Sequence, residues 1–161
     1  MSTHYKDYYG NHLPFGQFPQ FGVLSSVKVL MTGTNIAGPY AASMMAEMGA
    51  QVIQVEAPTM PCQTRGNYGY SQDHRNMYSL TLNTRSKRGK QVLEKLIAWA
   101  DIWIESGRPG AYAKSGFSDE HMWKINEKLA IVHVSGYGQY GPDKDKAAYD
   151  VSGQAMGGYM Y

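Results

Sequence analysis

Residues 27–56 change character four times within a span of about thirty positions. An apolar, strand-like run, Val27-Lys28-Val29-Leu30-Met31, empties into Thr32-Gly33-Thr34-Asn35-Ile36-Ala37-Gly38-Pro39. A helix-forming stretch, Tyr40–Met48, follows and is closed by Gly49 before a second strand-like run, Gln51–Glu56. Strand, glycine-bearing turn, helix and strand in this order form a βαβ unit, whose crossover is almost always right-handed. Such a turn presents backbone N–H groups at a helix N-terminus, where a phosphate or carboxylate can be held. The pattern therefore points to a ligand-binding α/β protein, and the open matter is the ligand.

The rest of the chain repeats the alternation. Strand candidates are Val27–Gly33, Gln51–Glu56, Tyr78–Asn83, Asp101–Glu105 and Ala130–Ser135. The second, fourth and fifth are short and nearly continuously apolar, the composition of strands covered on both faces. In Lys90–Ala100, the residues Val92, Leu93, Leu96, Ile97 and Ala100 fall on one helical stripe, with Lys90, Glu94 and Lys95 outside it. Ser118 is placed to cap a helix over Asp119–Lys128 that turns Met122 and Ile125 inward. Pro39 suits the first turn of the helix after the glycine turn, and Gly49 its end. Strands alternating with helices predict a Rossmann-like, mostly parallel sheet with helices on both faces. Residues 1–22 mix Gly, Pro, aromatic and polar residues without periodicity and read as an extended N-terminal arm. Ala57–Arg75 reads as an irregular connection long enough to be functional.

With 161 residues the chain can bury the core of one domain. A net charge of +2 is too mild to imply nucleic acid, and the densest basic run, Arg85-Ser86-Lys87-Arg88, reads as a solvated helix start. Cys62 is the single cysteine, so no disulfide framework exists and a reducing compartment is expected. The polar first residues lack the apolar core of a secretory signal, and no apolar run approaches the ~18 residues of a membrane span. A cytoplasmic location follows as the expectation. His4, His12, His74 and His121 lack metal-ligand spacing, so no metal site is expected. His133, in mid-strand, reads as a hydrogen-bonded core histidine. Cys62 has no His or basic neighbour in sequence that would make it a reactive thiol.

Residues alone leave two chemistries open for the first turn, beside a purely conformational use of its glycines. Dinucleotide binding wants G-x-G-x-x-G and an acid at the end of the second strand, where Glu56 stands. The glycines fit poorly, because Gly33 and Gly38 lack a middle glycine between them, and Pro39 removes a donor. An NAD-dependent oxidoreductase is therefore disfavoured. The second chemistry is carried by a colinear set of motifs. Ala37-Gly38-Pro39 is followed by Ala46-Glu47-Met48-Gly49-Ala50 and Val52-Ile53-Gln54-Val55-Glu56. Next come His74-Arg75-Asn76, Ser79-Leu80-Thr81-Leu82-Asn83, Ala100-Asp101-Ile102 and Ile104-Glu105. The series continues with Arg108-Pro109-Gly110, Gly116-Phe117-Ser118, Val134 to Pro142 and Tyr149-Asp150. In order and spacing this set resembles class III CoA-transferases of the formyl-CoA and carnitine type, and within them the L-carnitine CoA-transferase branch.

The resemblance, from about residue 22 onward, implies that residues 23–161 are the N-terminal part of a large Rossmann-like domain in an interlaced homodimer. It implies transfer of CoA from an acyl-CoA donor to a small carboxylic acid, carnitine- or butyrobetaine-like, through anhydride and thioester intermediates on an aspartate. CoA is then substrate, and no tightly bound cofactor is expected. A carboxylate nucleophile would split one hard exchange into two easier acyl transfers, and N–H groups of glycine-rich turns would stabilise the oxyanions. The family's aspartate lies beyond Tyr161, so no catalytic residue is assigned and Asp150 is not a substitute. CoA contacts carried over by motif are Ile36 and Ala37 in the first turn, Leu82 to Arg85 after the third strand, Ser106, Gly107 and Arg108 after the fourth, and Lys114. Arg108 replaces a lysine of the carnitine branch and adds a planar fork suited to phosphate. Ser115 stands where that branch has an arginine. The leading alternative is a non-catalytic CoA- or nucleotide-binding module, complete as it stands. The small and apolar run Val151–Tyr161 lacks a capping segment, and truncation is the expectation. Thirteen tyrosines offer cation–π faces to a trimethylammonium group and equally serve an interlaced interface.

Overall fold

The computed structural model describes residues 22–160, so all but the last residue of the expected arm over residues 1–22 lies outside the described part. Five strands carry the fold: β1 (Lys28–Met31), β2 (Gln51–Glu56), β3 (Tyr78–Thr81), β4 (Ile102–Glu105) and β5 (Ala130–His133). Six helices connect or follow them: α1 (Ala37–Glu47), α2 (Tyr68–Asp73), α3 (Lys87–Trp99), α4 (Ala111–Lys114), α5 (Asp119–Ile125) and α6 (Asp150–Met156). The sheet runs β3-β2-β1-β4-β5, and all four strand pairings are parallel. The chain builds outward from β1 through β2 to β3, then returns to place β4 on the other side of β1.

Alternation along β1 divides the interior. Val29 and Met31 face a core shared with Ala42 and Ala46 of α1, while Leu30 faces Leu93 and Ile97 of α3 and Met122 of α5. β4 repeats the division, with Trp103 on the α3/α5 side and Ile104 on the α1 side. Helices therefore cover both faces, as the alternating pattern requires. Leu93 and Ile97 are fully buried, and each such side chain contributes about 1.5–3 kcal/mol from loss of apolar surface to water. Trp103 is fully buried too, and its Nε1–H donates to Thr32 Oγ1 at 2.9 Å, which resolves its polar end at the first turn.

Element ends follow local chemistry. Ser118 Oγ accepts from the His121 N–H at 3.3 Å, the expected N-cap of α5. Ser86 Oγ accepts from the Gly89 N–H at 3.0 Å and starts α3 three residues earlier than its apolar stripe suggests. Gly49 follows α1 and returns its N–H to the Ala46 carbonyl at 3.0 Å. α5 stops at Ile125, short of Lys128, because Asn126 turns its Nδ2 to the Ile97 and Ala100 carbonyls at 3.1 and 2.7 Å. Two expectations are corrected. β5 is an edge strand whose residues alternate between exposed and half-buried, so its apolar composition does not signal cover on both faces. Ala57–Arg75 is not irregular throughout, since it contains α2.

Candidate functional site

In a parallel sheet every strand delivers its carboxyl end to the same edge. The loop after β3 (Leu82–Arg85), the loop after β1 (Thr32–Ile36) and the loop after β4 (Ser106–Gly110) therefore share one rim. The order of connection reverses between β1 and β4, and ligands of open α/β sheets bind in the crevice at such a switch point.

At that point the two loops are joined. The Thr34 N–H donates to Ser106 Oγ at 3.0 Å. A Cβ on Gly33 would sit 2.7 Å from that same oxygen, so the turn closes only with glycine there. Asn35 adopts a positive φ of 65° and donates its N–H to the buried Cys62 Sγ at 3.3 Å. Ile36 is 59% exposed at the N-cap of α1 and has no side-chain cap, and Ala37, the first helical residue, is exposed beside it. Backbone donors at the start of this 11-residue helix thus face the rim.

The other carried-over positions separate into two kinds. Arg108 and Lys114 are exposed and form no ion pair among the described residues. Arg85 is exposed as well, with its backbone N–H held by Asn83 Oδ1 at 3.1 Å. Leu82 packs its side chain partly into the α3/α5 core, donates its N–H to the Glu56 carbonyl and accepts from the Thr84 N–H. Lys90 Nζ donates to the Ser115 carbonyl at 2.7 Å and ties the start of α3 to the end of α4. That bond links the segment of Arg85 to the segment of Lys114. Ser106 meets the first turn directly, and Arg108 follows two residues on, without an ion pair among the described residues.

Two buried carboxylates shape the rim on either side of β1. Glu56, ending β2, accepts the Cys62 N–H at 3.0 Å and Arg65 Nε–H at 3.1 Å, and its second oxygen pairs with Arg65 Nη2. Burial alone would raise its pKa, but the hydrogen bonds from Arg65 and Cys62 outweigh burial and hold it below the ordinary range. Arg65 also lies over the Tyr70 ring, 4.5 Å from its centroid. Glu56 is thus committed to Arg65 instead of standing free for a ribose hydroxyl. Glu105, ending β4, accepts the Gly107 N–H at 2.6 Å and lies 2.5 Å from His133 Nδ1. His133 Nε2 is 3.1 Å from Asp119 Oδ2. The histidine is hydrogen-bonded as expected from sequence, yet it is half-buried, at the wall of a cleft of about 220 Å³. Tyr112, Phe117, Glu120 and Gln139 line the same cleft. Sequence reading missed the Glu105–His133–Asp119 cluster, because only strand pairing brings Glu105 beside His133. The one signal available was a charged residue closing each of two apolar strand runs.

The sequence profile of CoA-transferase family III matches residues 24–161. The chain belongs to that family. It is 50% identical over 145 residues to the bile acid CoA-transferase of Clostridium scindens, covering 89% of this chain and 33% of that protein. It is 41% identical over 152 residues to the L-carnitine CoA-transferase of Proteus mirabilis, covering 92% of this chain and 37% of the relative. The chain therefore spans about a third of the length of these curated relatives. A crystal structure of a CaiB/BaiF family protein from Brucella suis superposes with a TM-score of 0.83 at 30% identity. That superposition covers 88% of this chain and 40% of the solved one. Among the described residues no helix is long and apolar enough to cross a membrane.

Proposed function

We propose that this chain is the N-terminal part of a cytoplasmic enzyme that moves CoA from an acyl-CoA donor to a carboxylic acid acceptor. The observation that carries the reading is the junction of the glycine turn and Ser106 at the switch point, with the exposed Arg108 two residues on. Backbone donors of α1 and the Arg108 guanidinium would hold phosphate oxygens of CoA, supported by Lys114 and Arg85 at the rim. Ile36, Ala37 and the backbone of Leu82 would line the bound nucleotide. An aspartate beyond Tyr161 would form the anhydride and thioester intermediates, with the completed chain in an interlaced homodimer. Residues 1–22 are then an arm preceding the large domain.

The motifs favour a carnitine- or butyrobetaine-like acceptor, and the 50% identity to a bile acid CoA-transferase supports a bile acid as the second reading. Both are carboxylates and use the same chemistry, so a panel separates them. Calorimetry on the full-length protein, with CoA and with NAD, tests the site. CoA is expected to bind, and Arg108→Ala to weaken it by about 1–3 kcal/mol through lost charge-assisted hydrogen bonds. Unchanged affinity in the variant would return Arg108 to solvated surface charge, and preference for NAD would overturn the reading. Chromatography of acyl-CoA exchange, with butyrobetainyl-CoA and bile acyl-CoA as donors, identifies the substrate. CoA binding without transfer by the full-length protein would favour a non-catalytic module. The 161-residue chain alone is expected to transfer nothing.

A further inference from the structure

The Glu105–His133–Asp119 cluster touches the loop that bears Arg108. Parallel pairing of β4 with β5 sets Glu105 and His133 side by side. Both ring nitrogens of His133 face carboxylate oxygens, Glu105 Oε1 at 2.5 Å and Asp119 Oδ2 at 3.1 Å. An ionised carboxylate only accepts, so both contacts are hydrogen bonds only when both ring nitrogens carry protons. With both carboxylates ionised, the arrangement suits an imidazolium. The second oxygen of Glu105 accepts the Gly107 N–H at 2.6 Å, and a Cβ on Gly107 would lie 2.9 Å from it. One residue earlier, Ser106 accepts from Thr34 across the switch point. Asp119 stands in the first turn of α5. A proton on His133 thus ties β5, α5 and the Arg108 loop into one unit.

We infer that protonated His133 is a positioning residue for the Ser106–Gly110 loop, and that it couples the order of this loop, and through it the grip on an anionic ligand at Arg108, to pH. The ligand half rests on the proposed CoA site; the loop half does not. Burial pulls the His133 pKa down, but hydrogen bonds to Glu105 and Asp119 outweigh burial and raise it above the ordinary histidine value. The groups facing the ring are Glu105 from β4, Asp119 from α5 and the edge of Trp103, 6.1 Å between centroids. Tyr112, Glu120 and Gln139 line the same cleft, and none of its lining residues is a lysine or arginine. Neutral imidazole keeps one N–H, so deprotonation leaves one of the two carboxylates without the histidine's donor and without its positive charge. The stabilisation is present below the ordinary histidine pKa and is lost as pH rises through the raised one.

Hydrogen exchange of the peptide spanning residues 106–113, normalised to intrinsic rates, tests the loop half in the full-length protein between about pH 6 and about pH 9. Protection in the wild type is expected to fall as pH rises. His133→Gln is expected to start low and stay flat, and Asp119→Asn to lose part of the pH dependence. Should His133→Gln fail to fold, the wild-type profile and Asp119→Asn still decide. CoA affinity should follow the same profile, weakening by about fivefold or more across it, with the dependence gone in His133→Gln. Equal protection and equal pH dependence in wild type and variants would overturn the inference. A pH-dependent loop in a protein that binds no CoA would leave His133 as positioned here and overturn the CoA reading instead.

Discussion

β2 and β4 flank β1, and each ends in a buried glutamate that accepts a backbone N–H from the loop that follows it. Their cations differ. Glu56 is met by Arg65, whose side chain is 42% exposed and whose charge is permanent, whereas Glu105 is met by His133, whose charge is conditional. The two clusters also lie on opposite faces of the sheet, Glu56 on the α1 side and Glu105 on the α3/α5 side. The same device, a strand-end carboxylate pinning a loop, is therefore built once on a cation that persists across pH and once on one that responds to it. The responsive copy adjoins Ser106, Gly107 and Arg108, and the persistent copy holds the connection that carries Cys62.

The largest effect is expected at Trp103. It packs edge-on to Tyr112, 4.8 Å between centroids, and bonds Thr32, so it walls the Glu105 side of the sheet. Trp103→Ala should destabilise the protein by about 3–5 kcal/mol through cavity formation and loss of a buried hydrogen bond. Exchange mapping should place the loosening at the β1 and β4 loops; uniform loosening on both sides would break the comparison. Next come the carboxylates themselves. Glu105→Ala strands the Gly107 N–H and His133 and should cost about 3 kcal/mol. Glu56→Ala should cost about 1–2 kcal/mol, because Arg65 can turn to water and keep its place over Tyr70. Denaturant unfolding of the two variants gives the order, and a larger loss at Glu56 would reverse the reading of which cluster is the tighter.

The smallest effect separates the two clusters by pH. Glu56 has a depressed folded pKa, so its contribution is full above the ordinary carboxylate value and fades as pH falls through the folded one. His133 has a raised pKa, so its contribution fades in the opposite direction, as pH rises. Melting temperature against pH should lose part of its acid limb in Glu56→Gln and part of its alkaline limb in His133→Gln. Both variants acting on one limb would contradict the assignment of charge states.

At and around α6, Tyr149, Val151, Met156, Tyr159 and Met160 are each more than half exposed. Four of the five belong to the small and apolar run Val151–Tyr161, and α6 itself ends at Met156.

The amino-acid sequence by itself determined the alternation of strands and helices, the caps at Ser118 and Gly49, and the inward stripe of α3. These follow from short-range rules of periodicity and backbone hydrogen bonding, which a linear pattern records. The colinear motifs likewise reached the family, because loops at fixed points of a fold keep their spacing. Tertiary structure alone decided that β5 is one of the two edges, since β5 reads as apolar as β4 and differs in having one neighbour. It alone seated Cys62 against Asn35, committed Glu56 to Arg65 and set His133 between two carboxylates. Glu105 and His133 are 28 residues apart, and no local rule links them. Strand order and register bring them together, and both are fixed by how whole faces pack, which is a property of the assembled sheet.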